Sequence, residues 1–518
     1  MIRNAVLKTL FLACCMACSA AASAARGHVF DDRNGNGRQD KGEAGIAGVV
    51  VSNGRDLVRS DAQGGYALAE RDGYAVFVVK PAAWTVGRAA AAIPAFWHAP
   101  GAAATDFPLR RTRSRAAGGD LDVLVFADPQ PKSRTDVGYY RRDIVDPLVG
   151  RHAAAVGLSL GDIVDDDLSL YPDVDAATAG LGVPWLHAPG NHDMDAGARD
   201  DDAALRTFRG HYGPDTYAWE EPAATLVLLD DVIAQPGGKP GYTGGFRDDQ
   251  FAFLAAYLPL ARKDRLLVVG VHIPLFEPPG RDTFRDADRE RLFALLRDFP
   301  HVLLLSGHSH TQRHVDHDAS TGWHGAAPLH EYNVGAACGA FWSGVKDAEG
   351  IPDSTMADGT PNGYATLAVR RGGRYALAWH PARLATGDAA FTQAMALHAP
   401  QALRRGAYPA WGVYADVFMG RDDSRVEYRI DGGEWKAMKH VAQPDPRLLA
   451  ENARDDAAPA LRGYDRSPEA EPSAHLWRGA LDTGLAAGEH RVDVRAFDPW
   501  QGEQRASTRY RLIEDATP

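Results

Sequence analysis

Five apolar runs in the middle of the chain each end in a polar cluster of the residue types that bind divalent cations. Residues 121–127 lead to Asp128-Pro129-Gln130, and residues 155–160 to Gly161-Asp162. Residues 183–188 lead to Gly190-Asn191-His192-Asp193, residues 266–271 to His272, and residues 302–306 to Gly307-His308-Ser309-His310. Carboxylate, amide and imidazole donors together suit divalent first-row metals. A glycine beside a donor lets the backbone turn sharply and approach an ion closely. Each run reads as a short buried strand, and ligands in open α/β sheets collect beyond the carboxyl ends of strands. Five such ends bring the donors to one place. One cluster alone is a weak signal, whereas the ordered series D-x-Q, GD, GNHD, H, GHxH is a specific one.

That series resembles the calcineurin-like metallophosphoesterase superfamily, where the opening motif is usually D-x-H. ADPQ, GDIVDDDL, APGNHD, YGPDTYAW, HIPLF, GHSH, GAACGAFWSG and DGTPNGY narrow the resemblance to a bacterial exported branch with extra N- and C-terminal β domains. VYADVFMGRDDSRVEYRIDGGEWKAM and HLWRGALDTGLAAGEHRVDVRAFD fit that branch's C-terminal module. The resemblance implies an α/β four-layer core, two mixed sheets flanked by helices, with two flanking all-β sandwich domains. It implies two divalent ions: the first on Asp128, Gln130, Asp162 and His310, the second on Asn191, His272 and His308, with Asp162 bridging. It further implies hydrolysis of phosphate monoesters, diesters or pyrophosphates by attack of a metal-bound hydroxide. His192 follows a metal ligand directly and is expected to protonate the leaving oxygen, with Asp193 orienting its ring. Gln130 supplies an amide oxygen where an imidazole is commoner, a harder donor that favours Mn²⁺, with Mg²⁺, Zn²⁺ and Fe²⁺ as alternatives. Residues 161–165 lack the tyrosine of purple acid phosphatases, so no Fe³⁺–tyrosinate centre is expected.

Trp323, Phe341 and Trp342 follow the last motif, and aromatic rings there could stack on a substrate's base or sugar. Cys338, in a run of small residues, reads as a buried core residue, since metals already supply a nucleophile. Near the start, Asp32, Asn34, Asn36, Asp40 and Glu43 stand at positions 1, 3, 5, 9 and 12 of a loop with Gly37 at position 6. With the carbonyl of Arg38 at position 7, this spacing wraps Ca²⁺. The surrounding sequence resembles the calcium-binding B-type repeats of bacterial surface proteins.

The elements that must hold these residues follow from the rest of the chain. At 518 residues the length predicts three or four domains. Arg3 and Lys8, an apolar stretch, and Ala22-Ser23-Ala24 read as a signal peptide over residues 1–24. A periplasmic or secreted protein is expected, with Cys14 or Cys18 offering a lipid-anchored alternative. Residues 25–110 read as a β domain, 120–385 as the α/β phosphoesterase domain, and 390–518 as a second β domain. Helices are predicted over 248–261 and 286–296, and residues 443–472 read as a long loop. Lys+Arg of 56 against Asp+Glu of 68 gives a net charge of −12, which argues against long nucleic acid as partner. The expected partner is a small phosphorylated substrate, with no transmembrane helix in the mature chain. A second class of function is a binding protein built on an inactive phosphoesterase-like domain. The nearly complete donor set favours the enzyme.

Overall fold

The computed structural model describes residues 24–112, 119–239, 241–276, 283–382, 384, 387–408, 411–461 and 465–514. The expected signal peptide, with Cys14, Cys15 and Cys18, lies outside the described residues except for Ala24. So does most of the expected linker at 110–119.

Two mixed sheets form the centre. The first has the order Trp185–Ala188, Val156–Leu160, Leu121–Phe126, Gly363–Val369, Tyr375–Pro381. Its first three strands run parallel, and the last two pair antiparallel. The second has the order Thr216–Glu220, Ala224–Leu229, Leu266–Gly270, Val302–Ser306, Leu329–Asn333, Arg313–His317. Its four middle strands are parallel. The parallel strands are almost continuously apolar, as strands buried on both faces must be. Leu160 of the first sheet packs close to Gly270 of the second. Helices cover the outer faces: Tyr140 of Arg134–Tyr140 meets Phe126 edge-on, and Phe293 of Asp286–Leu296 lies 5.0 Å from the His317 ring. The helix predicted over 248–261 ends at Tyr257 and continues as one 3-10 turn, Leu258–Leu260, because Pro259 has no amide to donate.

Two β sandwiches flank this core, as expected. The N-terminal one stacks a four-stranded sheet containing Ala24–Asp31 and Phe107–Arg111 on another containing Val50–Ser52 and Val76–Val78. Its core is continuous with that of the central sheets. Phe77 meets Phe253, and Phe96 packs on Tyr217 and Trp219. The C-terminal sandwich has a separate core around Val413, Trp477, Val494 and Tyr510. Its two sheets are built on Gly412–Val417 and on the long hairpin Gly488–Asp498 and Gly502–Ile513. One reading needs correction: within the expected loop 443–472, Pro446–Ala457 is a helix. Asp445 caps it, Pro446 occupies its first turn, and its inner face buries Leu448 together with the polar Glu451, Asn452 and Asp455. An inward face that is mostly polar left no apolar period to read.

Candidate metal centre

All five apolar runs are strands, and every expected donor follows a carboxyl end. The backbone there is unusual. Asp128, Gln130, Asp162, His308 and His310 all have φ between +41° and +70°. For non-glycine residues this left-handed region costs about 1–3 kcal/mol each and persists only where the surroundings impose it. It turns each side chain back over its own strand end. Two glycines are needed beside them. A Cβ on Gly161 (φ +86°) would meet the His272 ring at 2.4 Å, and one on Gly190 would come within 2.2 Å of Asp162.

The donors form two groups that share one residue: Asp128, Asp162 and His310, and Asp162, His272 and His308. Within each group the donor atoms lie within 4.8 Å of one another. Imidazole orientation is fixed from behind. His272 Nδ1 is 2.8 Å from the Leu160 carbonyl, and His310 Nδ1 is 2.8 Å from that of Gly339. Both Nε2 atoms therefore face the centre. His272 Nε2 lies 3.1 Å from both Asn191 Oδ1 and His308 Nδ1, and 3.3 Å from Asp162 Oδ1. Gln130 is fully buried, and its backbone N–H donates to the Asp162 carbonyl. Asp231 holds the His272 and Ile273 amides, and Asn333 donates to the Gly307 carbonyl. The sequence did not mark either residue, because neither lies beside a motif donor.

Carboxylates and imidazoles crowded this closely alter one another's protonation. Burial alone would raise Asp162, but His272, His192 and His308 hold it below the usual carboxylate range. Burial opposes a charge on His272, yet Asp162 and Asp128 raise it to about 10. Burial and charged His272 then push His308 down to about 4. Oxygen and imidazole donors converging there fit divalent cations.

His192 is held by residues other than the one expected. Its Nδ1 lies 2.9 Å from Asp166 Oδ1 and 3.1 Å from Asp165 Oδ1. Burial disfavours the imidazolium, but Asp162, Asp166 and Asp165 outweigh it and raise its pKa. Asp193 does not touch the ring. It is wholly buried, accepts from the Gly190 and Ile163 amides and from Tyr171 Oη, and so ties the GNHD turn to the GD turn. Burial and the charge of Asp162 push it up to about 7.

The expected aromatic residues separate. Phe341 is 42% exposed, and its ring lies 4.6 Å from that of His310. Lys132 Nζ sits 5.0 Å over Phe341 and 3.6 Å from Asp165. Tyr242 meets His308 edge-on from another side. Trp342 is buried and donates to the Pro129 carbonyl, bracing the D-x-Q turn from behind. Trp323 is buried in the connection at the opposite end of the strands that carry His308 and His310, packed on Phe293. Neither tryptophan faces the centre. Cys338 is fully buried, with Sγ 3.7 Å from Gln130 Oε1.

The N-terminal loop folds around its own acids. Asp32 accepts the Gly35, Asn36 and Gly37 amides, and Glu43 accepts those of Arg33 and Asp40. The Asn34 and Asn36 side chains both donate to Asp40 at 2.7 Å, and the Arg38 amide donates to Asn36. Gly37 has φ +75°, as a sharp turn at position 6 needs. Among the described residues, Asp32, Asp40 and Glu43 form no three-donor cluster.

Three family models match the chain. "Calcineurin-like phosphoesterase" covers residues 121–312, "N terminal of Calcineurin-like phosphoesterase" residues 33–112, and "C terminal of Calcineurin-like phosphoesterase" residues 331–503. No curated protein matches. Among solved structures, purple acid phosphatase PPD1 from yellow lupin (Lupinus luteus) seeds is similar at 12% identity. That alignment covers 65% of this chain and 67% of the plant chain, with a TM-score of 0.36. With all three models in chain order, and the catalytic one over the strands whose ends carry the donors, the chain belongs to the calcineurin-like phosphoesterase family and is a metal-dependent phosphoric ester hydrolase.

Proposed function

We propose that the chain hydrolyses small phosphate monoesters, diesters or pyrophosphates at a dinuclear centre. Asp128, Gln130, Asp162 and His310 would hold one ion, and Asp162, Asn191, His272 and His308 the other. The observation that carries this reading is the pair of donor groups joined through Asp162. When bound, such ions supply a nucleophile at neutral pH and stabilise charge on the phosphoryl oxygens. The chain's own side chains do the rest. Lys132 and Phe341 stand at the mouth to receive the substrate. His192, its Nδ1 held by Asp165 and Asp166, presents Nε2 to pass a proton to the leaving oxygen. Gln130 favours Mn²⁺ over Zn²⁺.

Asp162→Ala is the direct test. The variant should lose bound metal, measured by elemental analysis, and more than about 100-fold in kcat/KM on aryl phosphates supplied with Mn²⁺. Wild-type turnover by that variant would reject a shared carboxylate. Running monoesters, diesters and nucleotide diphosphates with Mn²⁺, Mg²⁺ and Zn²⁺ separately assigns substrate class and metal.

The same reading places an export signal over residues 1–24, followed by domains at 25–110, 120–385 and 390–518. It also assigns Ca²⁺ to the loop from Asp32 to Glu43, supported by oxygen donors at the required spacing. Calcium should raise the Tm of the chain, and Asp32→Ala should remove that rise. An equal rise in the variant would place the ion elsewhere.

A further inference from the structure

The outer face of the C-terminal five-stranded sheet carries a charge opposite to that of the whole chain. The strand register sets out its rows. Glu427 faces Arg495, which faces Arg505, and Arg429 faces Asp493, which faces Ser507. Arg491 faces Arg509, and Glu489 faces Arg511. With Arg425 and Glu503 these rows hold seven arginines and four carboxylates, on a chain of net charge −12.

Like charges directly opposite on neighbouring strands repel. Here two such pairs, Arg495 with Arg505 and Arg491 with Arg509, stand four residues apart, roughly 14 Å along the strands. The acids do not balance them, because most are shared. Glu427 pairs with Arg425 and Arg495, Asp493 with Arg429 and Arg491, Glu503 with Arg495 and Arg505, and Glu489 with Arg509 alone. The side chains of Arg425, Arg491, Arg505 and Arg509 remain 59–64% exposed. Between the two pairs lies a depression of about 410 Å³ lined by Arg429, Trp435, Arg491, Asp493, Arg505 and Ser507. The Trp435 ring lies 4.6 Å from the Arg429 guanidinium and 4.2 Å from that of Arg495, which holds both in place.

We propose that this face docks a linear acidic polysaccharide bearing phosphate or sulfate groups, laid along the strand direction. Guanidinium forks match the oxygens of both groups and bind them bidentately. Glu503 already bridges Arg495 and Arg505, so the attraction for an anion comes from the excess of seven arginines over four carboxylates along these rows. Two charged pairs with a groove between them suit a polymer whose charges repeat along its length. The aromatic rings argue against a bilayer. Trp435 and Phe497 lie against guanidinium groups, with Arg425 4.1 Å from Phe497, and are not left to insert among lipid chains.

The test titrates the full chain with dextran sulfate and with dextran phosphate, using unmodified dextran as control, by calorimetry. Saturable binding to either charged polymer is expected, weakening as salt rises because counterions are released. Arg505→Ser with Arg509→Ser should weaken it about tenfold or more, while Tm and aryl phosphate hydrolysis stay unchanged. If that variant does not fold, the single exposed change Arg509→Glu should weaken binding in the same direction. No binding at low salt, or equal affinity in the variants, overturns the proposal. Tighter binding to phosphatidylglycerol vesicles or to a DNA duplex than to either polymer overturns it too.

Discussion

At the residue scale, the proposed proton transfer rests on His192 and its two carboxylate neighbours. Asp166 is the more exposed of the two, yet it makes the shorter contact with Nδ1. Its charge helps to keep the imidazole protonated, the form that can donate to a leaving oxygen. In Asp166→Asn the ring pKa should fall, so the proton is lost at a lower pH. The alkaline limb of kcat/KM for poor leaving groups should move to lower pH, with a loss of roughly tenfold near the wild-type optimum. Activated aryl esters should be affected less, and metal content should not change. An unshifted alkaline limb would reject Asp166 as the residue that holds the proton. The sequence pointed to Asp193 because it is adjacent to His192. The 3-10 turn Asn191–Asp193 sends consecutive side chains in different directions, so adjacency in sequence gave the wrong partner.

At the scale of elements, the two central sheets work by ending close together. The first ends in Asp128, Asp162 and Asn191, and the second in His272 and His308. Their approach depends on small residues, and Gly190 shows how little space remains. Its φ of −118° suits any residue, so the constraint there is steric. In Gly190→Ala the added methyl would press on the Asp162 amide and Oδ1. Overpacking of this kind costs about 1–3 kcal/mol. Here the displaced group is also the carboxylate shared between both donor groups. A lowered Tm accompanied by loss of bound metal is the expected outcome, measured by calorimetry and elemental analysis. A lower Tm with full metal content would show that the turn can move without moving Asp162.

Across the whole molecule, His475 joins the C-terminal sandwich to the loop after the GHSH motif. It is fully buried, with Nδ1 2.6 Å from Asp416 and Nε2 3.1 Å from Asp358. Asp358 in turn accepts the Gln312 amide, two residues beyond His310. Burial works against the charged imidazole, but Asp416 and Asp358 raise it to about 10. A histidine raised on folding contributes stability that is complete below its unfolded value and lost as pH rises through its folded value. The contribution of His475 should therefore be lost between about pH 6.5 and pH 10, measured as the difference in Tm against pH between the chain and a His475 variant. His475→Gln should lose about 3–5 kcal/mol at neutral pH and, with it, the His475 share of the slope over that window. A slope unchanged in His475→Gln would assign it to other groups.

Much of this protein was legible from the order of its residues. The five strand ends could be read because buried parallel strands are uniformly apolar, and the donors stand out sharply where they stop. The N-terminal β domain could be read because short strands alternate with glycine and aspartate turns, and the C-terminal one from its apolar strands, while the sandwich form of both came from the resemblance. Direction in space was not legible. Trp342 and Trp323 lie in the same stretch as Phe341, but only the structure shows that one braces Pro129, one fills the far end of the sheet, and Phe341 alone meets His310. The helix Pro446–Ala457 was hidden for a related reason, since its buried face is largely polar and depends on partners distant in sequence. Residue type and spacing determined which atoms could bind metal and which strands carry them. Which side chain touches which was decided by the left-handed turns at the strand ends and by the meeting of two sheets, and those depend on contacts that no local pattern records.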